Sequence, residues 1–454
     1  MIKNDRRMAM QERLQPIAAR FFAAGFPVYL VGGSVRNELL GLPASDLDIC
    51  GPARPEQVIS LFEGSGMRVV PRAVHFGTVE IHFERHGKRY MAEYTTFRHD
   101  SYRCGHRPDS VQFTDRIEID ALRRDFRVNA LYRDLVSGEL FDPTGGLTDI
   151  EKRCLRTVTD DPALVLRDDG LRILRMARFA AQLRFSVDEG LLQCAKEYAP
   201  LLMDIAPERI REEWEKILLS DLRYPSLPGG VEASVGRGLS LLEQTGAFRA
   251  FFSDCVRDAD TVLALANLFS TNAVFTIAAK DGADSFLGAF GENTNVLALR
   301  CAAFFGRTNP EILKNALVSL RFSTEIVRKT AIFVENLWDT VDNSSLRQKL
   351  AQMGYTQGTA LACILLARNR PQEARAVFST LAALERENAP MDVRALRVNG
   401  NDLLPLLEGK DRRIMTPLLE ALRVHCVDDP SENEREKLLL FAKKYLRNQI
   451  PQNN

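Results

Sequence analysis

The stretch VYLVGGSVRNELLGLPASDLDIC, residues 28–50, decides the fold of the N-terminal part of the chain. Residues 28–31 form a short apolar run that predicts a strand, and the double glycine that follows predicts a tight turn. The next residues repeat their apolar positions at helical spacing. A second short strand then carries Asp46 and Asp48, and alternation along a strand places both carboxylates on one face. The pattern predicts a strand–turn–helix–strand unit that presents a carboxylate pair.

A carboxylate pair beside a glycine turn suits Mg²⁺-dependent chemistry on a triphosphate. Carboxylate oxygens hold hard cations, so Asp46 and Asp48 are the predicted metal ligands. Backbone N–H groups at the start of a helix meet phosphate, which makes the turn and its first helical residues candidates for nucleotide binding. An isolated Asp-x-Asp is more often a surface feature, but its occurrence beside this turn and an arginine favours the functional interpretation. The predicted nucleotide-binding residues of this stretch are Gly32, Gly33, Ser34 and Arg36.

The composition limits the class of protein. The chain has 454 residues, of which 45% are hydrophobic and 26% are charged, with 60 basic and 60 acidic side chains. A nucleic-acid ligand would therefore be met by a local basic surface instead of a global charge. The eight cysteines are scattered without a CxxC pair, which argues against disulfides and zinc modules and favours the reducing cytoplasm. No apolar run approaches a membrane span of about 20 residues, so no membrane partner is predicted.

A change of pattern divides the chain. Up to about residue 155 short strands alternate with helices, and from about residue 161 the periodicity is helical to the end. The predicted fold class is α+β, with an N-terminal α/β domain built on a small mixed sheet and an elongated all-α remainder. Loops rich in glycine and proline near 224–230 and 388–392 are the predicted boundaries within the helical part.

The motif VGGSVRNELLG followed by DLDI resembles the head-domain signature of class II nucleotidyltransferases, the family of CCA-adding tRNA enzymes and bacterial poly(A) polymerases. Asn37 stands where that family usually has Asp. The exchange removes a charge near the phosphate site but no expected metal ligand.

The resemblance implies a third carboxylate. The strand YMAEYTTF, residues 90–97, resembles the family's E-x-T-T-[FL]-R strand, and Glu93 is its acid. Glu93 is expected to lie across from Asp46 and Asp48 and to help them hold two Mg²⁺ ions. One ion would lower the pKa of the primer 3′-hydroxyl, and the other would neutralise the triphosphate and the leaving pyrophosphate.

The segment RRDFRVNA, residues 123–130, resembles the second head motif, with Arg127 where Thr is usual. A guanidinium fork reaches phosphate or ribose oxygens, and a neighbouring carboxylate accepts from a 2′-hydroxyl. These tasks are assigned to Arg124 and Asp125. The polar, basic segment 98–112 is similar to the family's flexible loop, which reshapes the site between nucleotides.

A possible base-selecting pair lies in the segment LRDDGLRILRMARFAAQLRF, residues 166–185. Asp169, Arg172, Arg175 and Arg178 recur every three residues, which predicts one helix face of charged side chains with apolar residues on the other side. Cytosine and adenine both present an amino donor beside a ring-nitrogen acceptor. A carboxylate and a guanidinium match that pattern and oppose uracil and guanine, without a nucleic-acid template.

The same segment resembles the family's E-D-x-x-R motif, with Asp168 in place of the usual Glu. The resemblance implies base contacts by Asp169 and Arg172 and triphosphate contacts by Arg175 and Arg178. Residues 206–220 resemble the family's neck helix, and residues 396–406 with 433–446 resemble its tail.

We therefore interpret the chain as an enzyme that adds CCA to tRNA from CTP and ATP. The predicted domains are a catalytic head (1–155), a neck that binds the base and tRNA (156–222), a helical body (223–390) and a tRNA-binding tail (391–454). Alternatives are a poly(A) polymerase, an enzyme that adds only CC or only A, or a non-catalytic RNA-binding protein. Against the first, residues 69–79 lack the glycine-basic pair of poly(A) relatives; against the last stands the retention of all three acids.

Overall fold

The computed structural model describes residues 2–43, 46–101, 110–338, 346–407 and 412–448. The chain divides into two compact units, Met1–Ser253 and Asp254–Asn454. The first unit contains a mixed sheet with helices, and the described residues of the second unit form helices. The predicted α+β fold class is confirmed.

The sheet of the first unit has seven strands in the order β3-β4-β5-β2-β1-β8-β9. β2 and β5 pair in parallel, and the other neighbours pair antiparallel. Two further two-stranded sheets pair β6 with β7 and β10 with β11. The strands are β1 Tyr29–Val31, β2 Leu47–Gly51, β3 Arg68–Ala73, β4 Thr78–Arg85, β5 Lys88–Thr96, β6 Arg98–Ser101, β7 Ser110–Phe113, β8 Tyr132–Asp134, β9 Leu140–Phe141, β10 Cys154–Leu155 and β11 Ser186–Val187.

Successive side chains of β2 point to opposite faces of the sheet. Ile49 belongs to the apolar cluster that also contains Phe21 of the N-terminal helix, whereas Cys50 belongs to a second cluster with Phe97. Asp48 is two residues from Cys50 and shares its face of the sheet. Full burial of a side chain such as Phe21 stabilises a protein by about 2 kcal/mol, so the first cluster anchors the strand that carries Asp48.

The described residues of the first unit form eleven α-helices. The turn before α2 puts Gly32 at a φ of 72°, a left-handed conformation that favours glycine. Within α2, Val35 is buried as expected, but Leu39, which the helical spacing grouped with it, is exposed. The helices are α1 Ile2–Ala23, α2 Gly33–Leu40, α3 Pro55–Phe62, α4 Ile117–Leu122, α5 Gly146–Lys152, α6 Pro162–Asp168, α7 Leu171–Leu183, α8 Glu189–Tyr198, α9 Pro207–Leu218, α10 Ser220–Arg223 and α11 Arg237–Thr245.

The second unit is helical throughout its described residues. The helical segment 346–367 is broken by a kink at Gly354, whose backbone is not helical (φ 80°, ψ 169°). The helices are α12 Ala259–Ser270, α13 Ala273–Lys280, α14 Asn293–Phe305, α15 Pro310–Ser319, α16 Thr324–Trp338, α17 Leu346–Ala367, α18 Pro371–Arg386, α19 Gly400–Leu403, α20 Met415–Asp428 and α21 Arg435–Asn448.

In the described ranges no single helix is both long enough and apolar enough to cross a membrane. Only α12 and α13 together, which meet at a bend of 75°, have that length and composition.

Candidate active site

A cavity of about 1010 Å³ lies in the first unit, and it brings together eleven of the thirteen residues that the sequence nominated. Ser34 and Glu93 are the two that do not line it. Glu93 instead lines a smaller cavity together with Asp48, Arg98 and Arg124. The eleven are Gly32, Gly33, Arg36, Asp46, Asp48, Arg124, Asp125, Asp169, Arg172, Arg175 and Arg178.

The glycine turn forms one wall of the large cavity. The N–H of Gly32 donates to the carbonyl of Leu131 at 3.1 Å, so the turn is fixed against the strand region that follows the arginine motif. The buried Ser34 hydroxyl donates to the carbonyl of Asp46. Ser34 therefore joins the start of α2 to the first carboxylate, a positioning contact that the sequence did not indicate.

The three predicted acids lie on neighbouring strands. Asp48 and Glu93 are direct register partners in the parallel pair β2–β5, and Asp46 immediately precedes β2. Burial, and after it the charges of Glu93 and Asp46, raise the pKa of Asp48 to about 6. The pKa of Glu93 is also raised, by burial and by Glu80 and Asp46. The carboxylates thus repel one another.

The donor chemistry of this group fits a divalent cation, since crowded carboxylate oxygens are what hard cations prefer and a cation relieves their repulsion. In the part of the chain that the structure describes, no three His, Cys, Asp or Glu side chains are close enough together to form a complete metal site. The carboxylates therefore supply the right atoms without a finished coordination geometry.

Arg36 is buried beside the carboxylate group and is held by amides. Its Nε and Nη2 donate to Oδ1 of Asn37 at 3.2 and 2.9 Å, and its Nη1 donates to Oδ1 of Asn129. Asn37 in turn donates to the carbonyl of Pro43 at 2.9 Å and to the hydroxyl of Tyr224 at 2.8 Å. Burial lowers the pKa of Arg36, so an anion that entered the cavity would be favoured there.

The arginine motif is organised by Asp120, which the sequence analysis missed. This fully buried carboxylate accepts from Arg123 Nε at 2.7 Å, Arg124 Nη2 at 2.9 Å and the Tyr132 hydroxyl at 2.8 Å. Burial would raise the pKa of Asp120, but the two guanidinium groups outweigh it and lower the pKa to about 2. The spacing of three and four residues on α4 was the signal that could have found it.

Asp125, the predicted 2′-hydroxyl acceptor, is largely engaged. Its Oδ1 accepts from the N–H of Phe126 at 2.7 Å and from Asn129 Nδ2 at 3.0 Å, and its Oδ2 accepts from Arg175 Nε at 2.8 Å within an ion pair in which Nη2 lies 2.6 Å away. A carboxylate has about four acceptor positions, so about one is left for a ribose hydroxyl. Burial opposes ionisation, but Arg175 and Asn129 outweigh it and lower the pKa of Asp125 well below its usual range.

The predicted charged helix face is partly wrong. Asp169 does not lie on the helix with the arginines: it is extended (φ −152°, ψ 105°) between α6 and α7, and its carbonyl accepts from the N–H of Arg172 at 3.0 Å. Arg172 is buried and donates from Nη1 to the carbonyl of Val165 at 2.9 Å and from Nη2 to that of Arg123 at 2.6 Å. These two bonds leave three of its five N–H groups for other acceptors.

The two later arginines lie on α7 as predicted, and both pair with carboxylates of other elements. Arg178 is buried and pairs with Glu213 at 3.0 Å, and its burial lowers the pKa of its guanidinium to about 10. Phe179 of the same helix lines the cavity, with the guanidinium carbons of Arg178, Arg36 and Arg175 at 4.1, 5.2 and 5.4 Å from its ring centre. Helix α7 is enclosed because other elements supply carboxylates for its arginines.

The base of the predicted flexible loop is a hairpin. β6 and β7 pair from Arg98 with Phe113 to Ser101 with Ser110. Arg98 lines the large cavity and forms an ion pair with Asp100 at 2.8 Å. Arg103 and Arg107, two further basic residues of the predicted flexible loop, lie outside the described residues.

The segment 209–224, at the end of the predicted neck and the start of the predicted body, contributes residues that the sequence did not indicate. Arg209 forms an ion pair with Asp169, Tyr224 meets Asn37, and Lys216 and Arg223 also line the cavity. Among the described residues that line it, ten are arginine or lysine and five are aspartate. A chain of zero net charge therefore contains a locally basic cavity, which suits an anionic ligand.

Comparison with known proteins agrees with this geometry. A sequence profile described as "Poly A polymerase head domain" matches residues 28–156, and one described as "Probable RNA and SrmB- binding site of polymerase A" matches residues 184–227. The CCA-adding enzyme of Enterococcus faecalis is 29% identical over 432 residues, covering 94% of this chain and 95% of that relative. The CCA-adding enzyme of Limosilactobacillus fermentum is 42% identical over 211 residues, covering 46% of this chain and 50% of the relative.

The solved structures agree as well. The chain is similar to the crystal structure of the Bacillus stearothermophilus CCA-adding enzyme in complex with CTP, with 25% identity, a TM-score of 0.69 and coverage of 99% of both chains. Fold and site together define a nucleotidyltransferase. The chain is similar to members of the family of class II CCA-adding tRNA nucleotidyltransferases and bacterial poly(A) polymerases. Enzymes of this family generally depend on divalent metal ions.

Proposed function

We propose that this chain adds C, C and A to the 3′ end of tRNA, with CTP and ATP as substrates and pyrophosphate as the product. One observation carries the proposal: a carboxylate group, a cluster of arginines and the pair Asp169–Arg172 line the same cavity. The combination supplies a place for the metal-bound triphosphate and a place for the base within one site. The full-length similarity to CCA-adding enzymes supports this choice.

Asp46, Asp48 and Glu93 are the proposed metal-holding residues, and Mg²⁺ is the proposed metal. When bound, the cation supplies charge neutralisation at the triphosphate and activation of the primer 3′-hydroxyl. Arg36 and Arg124 are proposed to bind phosphate or ribose oxygens beside them. The N–H of Gly33 stands at the start of α2, where an anion is also favoured, and Gly32, whose own N–H donates to Leu131, shapes the turn before it.

Asp169 and Arg172 are the proposed base-selecting pair. A carboxylate accepts from the amino group of cytosine or adenine, while the remaining N–H groups of the guanidinium donate to the ring nitrogen. Uracil and guanine would bring a carbonyl against the carboxylate and an N–H against the guanidinium. Such a buried mispairing costs a few kcal/mol, which is on the order of 100-fold in selection.

The domain assignment remains part of the proposal. Residues 1–155 act as the catalytic head, residues 156–222 as the neck, residues 223–390 as the body and residues 391–454 as the tail. The two profile matches, to residues 28–156 and 184–227, support the first two assignments. A cytoplasmic site of action is supported by the seven described cysteines, all of which are free thiols.

The decisive experiment offers the purified protein a tRNA that lacks CCA, with each nucleoside triphosphate alone and in combination, and sequences the added ends. The expected products are CC from CTP alone and CCA from CTP with ATP. The matched inactive control is Asp48→Ala. Long adenosine tails from ATP alone would identify a poly(A) polymerase, and a product that stops at CC or needs a preformed CC would identify a partial enzyme.

A second experiment tests base choice. Asp169→Ala removes the acceptor for the amino group and the repulsion of a carbonyl. Since charge-assisted hydrogen bonds contribute about 1.5–3 kcal/mol, the ratio of kcat/KM for CTP to that for UTP should fall by about 10- to 100-fold. An unchanged ratio with a lower overall rate would mean that Asp169 supports the fold and does not read the base.

A further inference from the structure

We propose that Arg209 is a specificity-determining positioning residue, which fixes the orientation of the Asp169 carboxylate and thereby sets how strongly the site prefers cytosine and adenine. The inference rests on the proposed role of Asp169 in base selection. It adds a residue from α9 that neither the sequence motifs nor the comparisons assign.

The geometry is that of a two-point clamp. Arg209 Nη2 donates to Asp169 Oδ2 at 2.5 Å, and Nη1 lies 3.4 Å from Oδ1. Oδ1 also accepts from the N–H of Leu171 at 3.0 Å, at the start of α7. Both members of the ion pair line the large cavity. The planar fork of an arginine holds both oxygens of a carboxylate in one plane, which a lysine cannot do.

These contacts leave the Asp169 carboxylate little capacity to accept further hydrogen bonds. An ionised carboxylate has about four lone-pair positions, and the clamp together with the N–H of Leu171 occupies three of them. About one position is left for a ligand in the cavity. A single oriented acceptor suits one amino N–H of cytosine or adenine, and it cannot turn away from the carbonyl of uracil. Fixing its direction therefore converts a negative charge into a selective contact.

The backbone of Asp169 does not by itself fix the direction of its carboxylate. The residue lies outside α7 in an extended conformation, and its carbonyl accepts from the N–H of Arg172 at 3.0 Å, but the direction of the side chain is set by the contacts of its two carboxylate oxygens. Arg209 lies 40 positions further along the chain, in the first turns of α9. The packing of α9 against α7, through pairs such as Arg178 with Glu213, holds the guanidinium opposite the carboxylate.

The test measures kcat/KM for CTP, ATP and UTP on a tRNA that ends at the discriminator base, in the full-length protein. Arg209→Ala should lower the CTP-to-UTP and ATP-to-UTP ratios by about tenfold, because the freed carboxylate can rotate away from a carbonyl. Arg209→Lys, which keeps the charge without the fork, should give an intermediate loss. Arg211→Ala is the matched control, because it removes an arginine of the same helix that pairs with Glu215 and does not line the cavity.

A double-mutant cycle separates positioning from general destabilisation. If Arg209 acts through Asp169, Arg209→Ala should change the ratios about tenfold in the wild-type background and by less than about twofold in the Asp169→Ala background. Equal effects in both backgrounds would overturn the clamp. If Arg209→Ala does not fold, judged by its thermal transition, the same cycle is run with Arg209→Lys.

The outcomes also distinguish this inference from the proposed function. A wild-type protein that incorporates UTP as readily as CTP would remove the function on which the clamp rests. A selective wild-type protein whose preference is lost in Asp169→Ala but retained in both Arg209 variants would overturn the clamp alone.

Discussion

Asp48 lies at the most crowded point of the carboxylate group, opposite Glu93 across the parallel strand pair and two residues from Asp46. Its pKa is raised to about 6 by burial and by these two neighbours, so the apo protein keeps an unfavourable concentration of negative charge at this point. Ionisable residues whose pKa is shifted in this way are common at functional sites. The first prediction therefore concerns this side chain.

Asp48→Ala should abolish incorporation of both CTP and ATP, because loss of metal neutralisation costs several kcal/mol in the transition state. Affinity for tRNA should change by less than about twofold, since the variant leaves the basic residues in place. The measurements are single-turnover incorporation and filter binding. Glu84→Ala, which removes an exposed carboxylate of the same sheet outside the cavity, is the control. Comparable Mg²⁺-dependent turnover in the Asp48 variant would contradict the assignment.

Asn37 gives a second prediction at this scale. Asn37→Asp restores the acid that the family usually has and places a carboxylate against the Arg36 guanidinium, which Asn37 now contacts at 2.9 Å. The new charge partly neutralises Arg36, so KM for CTP and ATP should rise about threefold while kcat changes little. Steady-state kinetics check this, with Asn37→Gln separating shape from charge. An unchanged KM would show that Arg36 does not bind the nucleotide.

At the scale of single elements, α4 shows how a short helix organises the site. It has only six residues, yet its buried Asp120 holds both arginines of the RRD segment and the hydroxyl of β8's Tyr132. A buried carboxylate that keeps two guanidinium groups in place is costly to remove, because the cations are then left buried without a partner.

Asp120→Asn should lower the free energy of unfolding of the first unit by about 3 kcal/mol at pH 7. The pKa of Asp120 falls to about 2 in the folded state from 3.8, so its ionisation stabilises the fold above pH 4 and this contribution, about 2 kcal/mol, is lost as the pH falls toward 2. The difference between wild type and variant should therefore shrink over that range.

Denaturation followed by the fluorescence of the fully buried Trp214, in a Trp338→Phe background, measures the first unit by itself. The matched control is Glu118→Gln on the same helix, an exposed residue whose ion pair with Arg116 spans 3.6 Å. Its effect should stay within about 0.5 kcal/mol. If the free energy of unfolding of Asp120→Asn fell between pH 4 and pH 2 as much as that of the wild type, the role assigned to Asp120 would be contradicted.

At the scale of the whole molecule, charge is distributed so that zero net charge coexists with a basic cavity. Lys216 and Arg223 line the cavity and are exposed to solvent. Their cationic side chains could therefore bind the phosphates at the end of an RNA. Replacing both with Ala should lower the slope of log affinity for tRNA against log salt by about 1.5, since each phosphate contact on a single strand contributes about 0.7. Titrations at several salt concentrations measure it.

The double variant Lys88→Ala with Arg89→Ala, which removes two exposed cations from β5 away from the cavity, is the control for this measurement. An equal loss of slope in both double variants would mean that the charges act through the general field of the protein. A loss confined to the cavity pair would assign the phosphate contacts to this wall.

The sequence predicted what depends on near neighbours. The glycine turn, the alternation of Asp46, Leu47 and Asp48, and the α+β division follow from spacing that a reader of the chain can see. The partners of the charged side chains cannot be predicted from spacing. Arg175 meets Asp125 and Arg178 meets Glu213 only in the folded chain, so three-residue spacing predicted a charged face but not the carboxylates that pair with it. The spacing also placed Asp169 on that face, whereas α7 begins two residues later, at Leu171.

The hydrogen bond from Asn37 to Tyr224, 187 positions apart, has a consequence for how such enzymes can be recombined. Residues 169–224 complete the cavity by supplying Arg172 to the Arg123 carbonyl and Arg175 to Asp125. A chimera that exchanged only the first 155 residues with a relative would therefore inherit mismatched halves of one polar network. A crossover placed after residue 224 would transfer all of the residues that line the cavity together. Among relatives, substitutions at contacting positions before and after residue 155 should therefore occur together.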